Sequence, residues 1–109
     1  MVTRVKSGIL VSAALRYASD NLIDCVLTRR GDADAGAIFV HIDALDGRHK
    51  LLARSLDFDG NYVWRVITST EWVDAQVAED RLAAEIKMDD DAFIIAICDV
   101  KARNPFDLL

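Results

Sequence analysis

Between Arg29 and Val40 the chain reads Arg-Arg-Gly-Asp-Ala-Asp-Ala-Gly-Ala-Ile-Phe-Val. Before it, Ile23, Cys25 and Leu27 alternate with Asp24 and Thr28; after it, a new alternation starts at Ile38. A period of two places successive side chains on opposite faces of a sheet. Glycine and aspartate supply the backbone freedom of a tight reversal. The segment therefore predicts strand, turn, strand, and commits this part of the chain to a β-sheet.

The pattern continues downstream. Ile38, Val40 and Ile42 alternate with Phe39, His41 and Asp43. Leu51 to Leu56 is a third run, and Tyr62, Trp64 and Val66 alternate with Val63, Arg65 and Ile67. The connections Gly31 to Ala35, Asp46-Gly47 and Asp57 to Asn61 are short and rich in Asp and Gly, as hairpin turns require. Four strands in an antiparallel meander are predicted. A helix precedes them over Ser7 to Asp20, with Leu10, Val11, Ala14, Tyr17 and Ala18 on one face, Ser7 as N-cap and Asn21 as stop. A second helix follows over Glu71 to Met88, with Trp72, Ala75, Leu82 and Ile86 on one face. It is started by a Thr68/Glu71 capping box or by Asp74. Ala92 to Val100 is apolar on both faces, the pattern of an interior strand.

The order α-β-β-β-β-α-β predicts an α+β two-layer domain over residues 1–100, with a C-terminal tail over 101–109. The second helix carries the chain back, so strand five runs parallel to strand four and can lie antiparallel beside strand one. The expected sheet order is 5-1-2-3-4. That order leaves strand five at an edge, where a second subunit or the first helix must cover it.

Composition narrows the function. A chain of 109 residues with 52% apolar and 28% charged side chains suits one folded domain rather than a disordered chain. Its 18 acids against 13 bases give a net charge of −5. The bases are scattered, which argues against nucleic acid and against an anionic membrane surface. No run reaches the roughly 18 apolar residues of a membrane span. Arg4 and Lys6 before the apolar Gly8 to Leu15 have the flavour of a secretory leader, but Arg16 interrupts it. Cys25 and Cys98 are too few for a disulfide scaffold and sit in apolar runs; they are read as reduced and buried, and the location as cytoplasmic.

Three segments carry a resemblance: Ser12-Ala13-Ala14-Leu15-Arg16, Arg29-Arg30-Gly31 followed by Ala35 to Val40, and Asp89 to Ile95. Together they resemble a family of short, uncharacterised bacterial proteins sharing a domain of unknown function, over nearly the whole chain. The chain departs from that family's pattern at Asp90, where proline is usual, and at Phe93, where tryptophan is. It also has Ala96 and Cys98 where acidic residues are usual. The resemblance implies a bacterial protein and no known reaction.

The candidate sites each have a plain structural alternative. Arg29 and Arg30, with Gly31 and Gly36 close by, offer an anion grip at the first hairpin, or a solvated lip balanced by Asp32 and Asp34. His41 and His49 are potential bases or metal ligands without a recognised ligand spacing. Asp89, Asp90 and Asp91 suit either a cation or a turn. Glu79 lies near the apolar stripe of the second helix. Val73, Val77 and Ala84 form a second apolar patch there, and Trp64 and Tyr62 on one strand face, with Phe106 and Leu108 in the tail, add to a candidate interaction surface. No nucleophile elbow, phosphate loop, dinucleotide fingerprint or Cys-x-x-Cys is present. The expectation is a small non-catalytic interaction or regulatory module without metal or cofactor, self-associating or binding an unidentified protein. The alternative is a ligand-binding protein or enzyme with its anion site at the first hairpin.

Overall fold

The computed structural model describes residues 5–109; Arg4, part of the basic N-terminal segment, lies outside the described residues. Helix α1 spans Ser7–Asp20 and buries Val11, Ala14 and Ala18. Ser7 is its first residue and not its cap: the N-cap position falls on Lys6, without a side-chain bond, and Ser7 Oγ donates to the Gly36 carbonyl at 2.7 Å. At the other end the left-handed residue is Leu22, with φ 57°, rather than Asn21. Strands follow at Asp24–Arg29 (β1), Ile38–Asp43 (β2), His49–Leu56 (β3) and Tyr62–Val66 (β4). Helix α2 spans Ala75–Met88, capped by Asp74, whose carboxylate accepts the Val77 N–H. The Thr68/Glu71 capping box does not form; the Thr68 hydroxyl donates to the Thr70 carbonyl instead. Strand β5 spans Phe93–Cys98, and a short 3-10 helix, Pro105–Leu108, closes the chain.

The α+β class and the order of elements are as expected. The sheet order is β1-β5-β2-β3-β4, not 5-1-2-3-4. Strand β5 enters between β1 and β2, antiparallel to the first and parallel to the second. The meander is therefore three-stranded, β2 to β4, and the Arg29 to Val40 segment is not a hairpin. It spans two inter-strand spacings, roughly 10 Å, across the start of β5. The directions deduced for strand five hold; what fails is the assumption that β1 and β2 pair because they are consecutive. The central place of β5 explains its two apolar faces and removes the need for a cover.

The helices lie on opposite faces, which replaces the two-layer expectation by helix–sheet–helix. One face carries Ile38, Val40, Ile42, Leu52, Phe93, Ile95 and Ile97 and packs under α1 and Phe106 in a single core. Phe39 and Leu51 alternate with Val40 and Leu52 and so point the other way, yet both are buried. Their cover is α2, which sits over β3 and contributes the fully buried Ala78. That cover is partial: Val26 on β1 remains 53% exposed.

Candidate functional site

The first region singled out by the sequence is built by backbone contact. The segment between β1 and β2 crosses the turn into β5: the Asp32 N–H donates to the Asp91 carbonyl at 2.8 Å, and the Phe93 N–H to the Ala37 carbonyl at 2.8 Å. A Cβ on Gly36 would stand 2.6 Å from the Asp91 carbonyl oxygen and 2.7 Å from that of Asp32. One on Gly31 would stand 2.7 Å from both Ala92 C and Phe93 N. Both glycines thus admit the protein's own main chain. Arg29 donates from Nη2 to the Asp90 carbonyl at 2.7 Å, while Arg30 is exposed. The four residues proposed to hold an anion surround a strand crossing.

A groove lies on the α1 side of the sheet. Val5, Leu10, Arg54, Tyr62, Trp64 and Phe106 line a groove of about 190 Å³. Arg54 and Trp64 are directly opposed across β3 and β4. Trp64 packs on Phe106 with ring centroids 4.6 Å apart. The 3-10 helix that delivers Phe106 starts at Asn104, whose side chain accepts the Phe106 N–H at 3.1 Å. The Arg54 guanidinium lies 4.3 Å above the Tyr62 ring and donates to Ser7 Oγ at 3.3 Å. No carboxylate among the described residues pairs with Arg54. The result is an aromatic-walled groove with one oriented, half-buried cation at its lip, beside the positive end of α1.

Of the residues assigned to an interaction surface, the structure brings Tyr62, Trp64 and Phe106 together in this groove. Phe106 is 8% exposed and belongs to the core. Val73 is half-buried and exchanges backbone hydrogen bonds with His49. Val77 and Leu108 are exposed and line no part of the groove. Arg54 and Leu10 complete the site and were not among the residues chosen from sequence. The available signal was Arg54: it occupies a core-facing place in the alternation with Leu52, where a cation is unexpected.

On the opposite face the two histidines form a pair. His41 Nε2 and His49 Nδ1 are 2.9 Å apart, and His49 Nε2 faces the Asp43 carboxylate at 3.9 Å. Burial pushes the His41 imidazole below its ordinary pKa, and the adjacent His49 adds to this; Asp43 and Glu79 act in the opposite sense. The two facing nitrogens are within hydrogen-bond distance, and two nitrogens are too few for a closed metal centre. Ligand oxygens of Asp89, Asp90 and Asp91 lie within 4.8 Å of one another. Asp89 accepts the Asp91 N–H at 3.1 Å, as a turn residue does. Both cysteines are free and half-buried, and burial followed by Asp24 pushes the Cys25 thiol up to about 11. No helix among the described residues is long and apolar enough to cross a membrane.

Residues 5–107 match the model of a family described as "Protein of unknown function (DUF1491)". The crystal structure of a DUF1491 family protein from Caulobacter crescentus is 23% identical, with a TM-score of 0.84 over 94% of each chain. The NMR structure of a DUF1491 family protein from the same organism is 23% identical, with a TM-score of 0.81, over 95% of this chain and 94% of that one. The solution structure of a protein from A. tumefaciens, also 23% identical, has a TM-score of 0.73 over 88% of this chain and 86% of that one. These likenesses show the fold. No curated protein matches the chain.

Proposed function

The chain belongs to the DUF1491 family of proteins of unknown function, and from that premise we propose that it is a small cytoplasmic, non-catalytic binding module that works through the groove between α1, β4 and the 3-10 helix. One observation carries this reading: half-buried Arg54 faces an apolar groove with no carboxylate among the described residues to neutralise it. Buried cations are ordinarily paired, and pockets with apolar walls and few oriented polar groups are the usual form of a ligand site. The non-catalytic part of the proposal is supported by what the reactive groups already do. Ser7 Oγ is spent on Gly36, and the facing histidine nitrogens are spent on each other. The two free thiols support the cytoplasmic location.

A melting screen tests it, because a ligand that binds only the native state raises its stability. Small acids, amines, neutral aromatics, nucleotides and short peptides are compared on the wild-type chain and on Leu10→Trp, which fills the groove. Stabilisation seen in the wild type and lost in Leu10→Trp supports the reading. Stabilisation that survives in Leu10→Trp contradicts it.

Self-association is a second reading, favoured by one feature. β1 is an edge strand with an uncovered face at Val26, and a second copy could extend the sheet there. Sedimentation of wild type against Val26→Lys decides: a dimer that dissociates in the variant supports this reading, and a monomer at high micromolar concentration ends it.

A further inference from the structure

We propose that the groove takes a small carboxylic acid with a single aromatic ring, its carboxylate on Arg54 and its ring between Leu10, Trp64 and Phe106. This deepens the reading that the groove is the working site, and rests on it.

The cation sets the charge of the ligand. Arg54 stands opposite Trp64 on the face of the sheet that packs under α1. Among the described residues its guanidinium stacks on the Tyr62 ring and donates to the Ser7 hydroxyl. A guanidinium carries five N–H donors in a planar fork, and one of them, on Nη2, reaches Ser7. The remaining edge suits the two oxygens of a carboxylate. The fork is also held in advance. Stacking on Tyr62 and the bond to Ser7, which is itself tied to Gly36, fix its plane before a ligand arrives, which lowers the ordering cost of binding.

Size and walls set the rest of the ligand. An apolar cavity of about 150 Å³ accommodates benzene, and drug-sized ligands occupy roughly 300–1,000 Å³. At about 190 Å³ this groove matches one ring with a short acid arm. Trp64 and Phe106 meet at an interplanar angle of 40°, an open aromatic corner against which a third ring can stack. A phosphate ester fits less well, because it presents three acceptor oxygens, and among the described residues Arg54 supplies the one guanidinium that lines this groove.

The test uses the full chain carrying Trp72→Phe, so that Trp64 is the only indole. Phenylalanine keeps an aromatic face for Arg48 and Lys50, which lie over Trp72. Phenylacetate is titrated against phenylacetamide, its neutral counterpart, and against a short apolar peptide with a free C-terminal carboxylate. The expected result is a saturable change in Trp64 fluorescence with phenylacetate. Binding of the amide should be at least about tenfold weaker, the loss of one charge-assisted contact. Arg54→Gln should erase the preference for the acid, and Arg54→Lys should keep part of it. Equal binding of acid and amide in the Trp72→Phe chain overturns the acid assignment and leaves the groove reading standing, without relying on any Arg54 variant. Tighter binding of the peptide overturns the small-acid assignment. If no probe perturbs Trp64, both the inference and the groove reading fall.

Discussion

Gly36→Ala places a methyl group where the β1–β2 connection crosses the entry to β5. The new Cβ would lie 2.6 Å from the Asp91 carbonyl oxygen and 2.7 Å and 2.8 Å from Asp32 O and N. All three are backbone atoms, so no side chain can swing aside. Gly36 does not have a positive φ, so the cost is steric and not conformational. Overpacking a filled site costs typically about 1–3 kcal/mol. Moving the segment apart also strains the Asp32 N–H to Asp91 carbonyl bond, the Gly36 N–H to Asp32 carbonyl bond and the Ser7 bond to Gly36, each worth about 1 kcal/mol. The sum is about 4–6 kcal/mol, a large part of the roughly 5–15 kcal/mol that holds a domain together, and on the order of 20 °C in Tm. Urea unfolding followed by circular dichroism measures it. Gly47→Ala is the comparison: its Cβ would meet nothing within 4 Å, but its φ is +88°, so it should lose only about 1–2 kcal/mol. A loss below about 0.5 kcal/mol for Gly36→Ala, the scale of an inert surface change, would refute the crossing as the reason for this glycine.

Three other outcomes follow from the same structure. Phe106→Ala should cost about 3 kcal/mol by urea titration, because this ring is core, whereas exposed Leu108→Ala should change stability by less than about 0.5 kcal/mol. The native His41 pKa lies below its unfolded value. Unfolding therefore takes up protons as pH falls below about 6.5, and the urea midpoint should drop between pH 7 and pH 5; His41→Gln should flatten that slope. Cys25, pushed up to about 11, should react with iodoacetamide at pH 8 at least about tenfold more slowly in the native chain than in urea; equal rates would contradict its half-buried position.

Periodicity, with the unbroken apolar run of β5, was enough to find every strand and both helices, though α2 starts at Ala75 rather than Glu71, because period two and period 3.6 are local signals. Pairing is not local. β1 and β2 read as a hairpin since their connection contains Gly31, Asp32 and Gly36. Those glycines instead make room for Asp91 to Phe93, a segment some 55–60 residues away that no local pattern reveals. The clue lay in β5 itself, whose apolar Ile94 and Ala96 alternate with Ile95 and Ile97; only an interior position accommodates that. The histidine pair was hidden by two residues of strand. The Asp46-Gly47 turn was evident, but β3 was started at Leu51, and only its extension to His49 sets that ring opposite Asp43 and diagonal to His41. The groove was half legible: Trp64 and Phe106 stood out as large apolar residues, while Arg54 gains its meaning only once α1, β4 and the 3-10 helix close around it.

The measurement that bears most directly on the groove is a titration of the isotopically labelled chain with phenylacetate, followed by amide and indole NMR shifts. The account predicts saturable shifts gathered at Leu10, Arg54, the Trp64 indole N–H and Phe106, with Arg29 and Arg30 unmoved. Shifts centred on Arg29 and Arg30, or none at millimolar ligand, would contradict it.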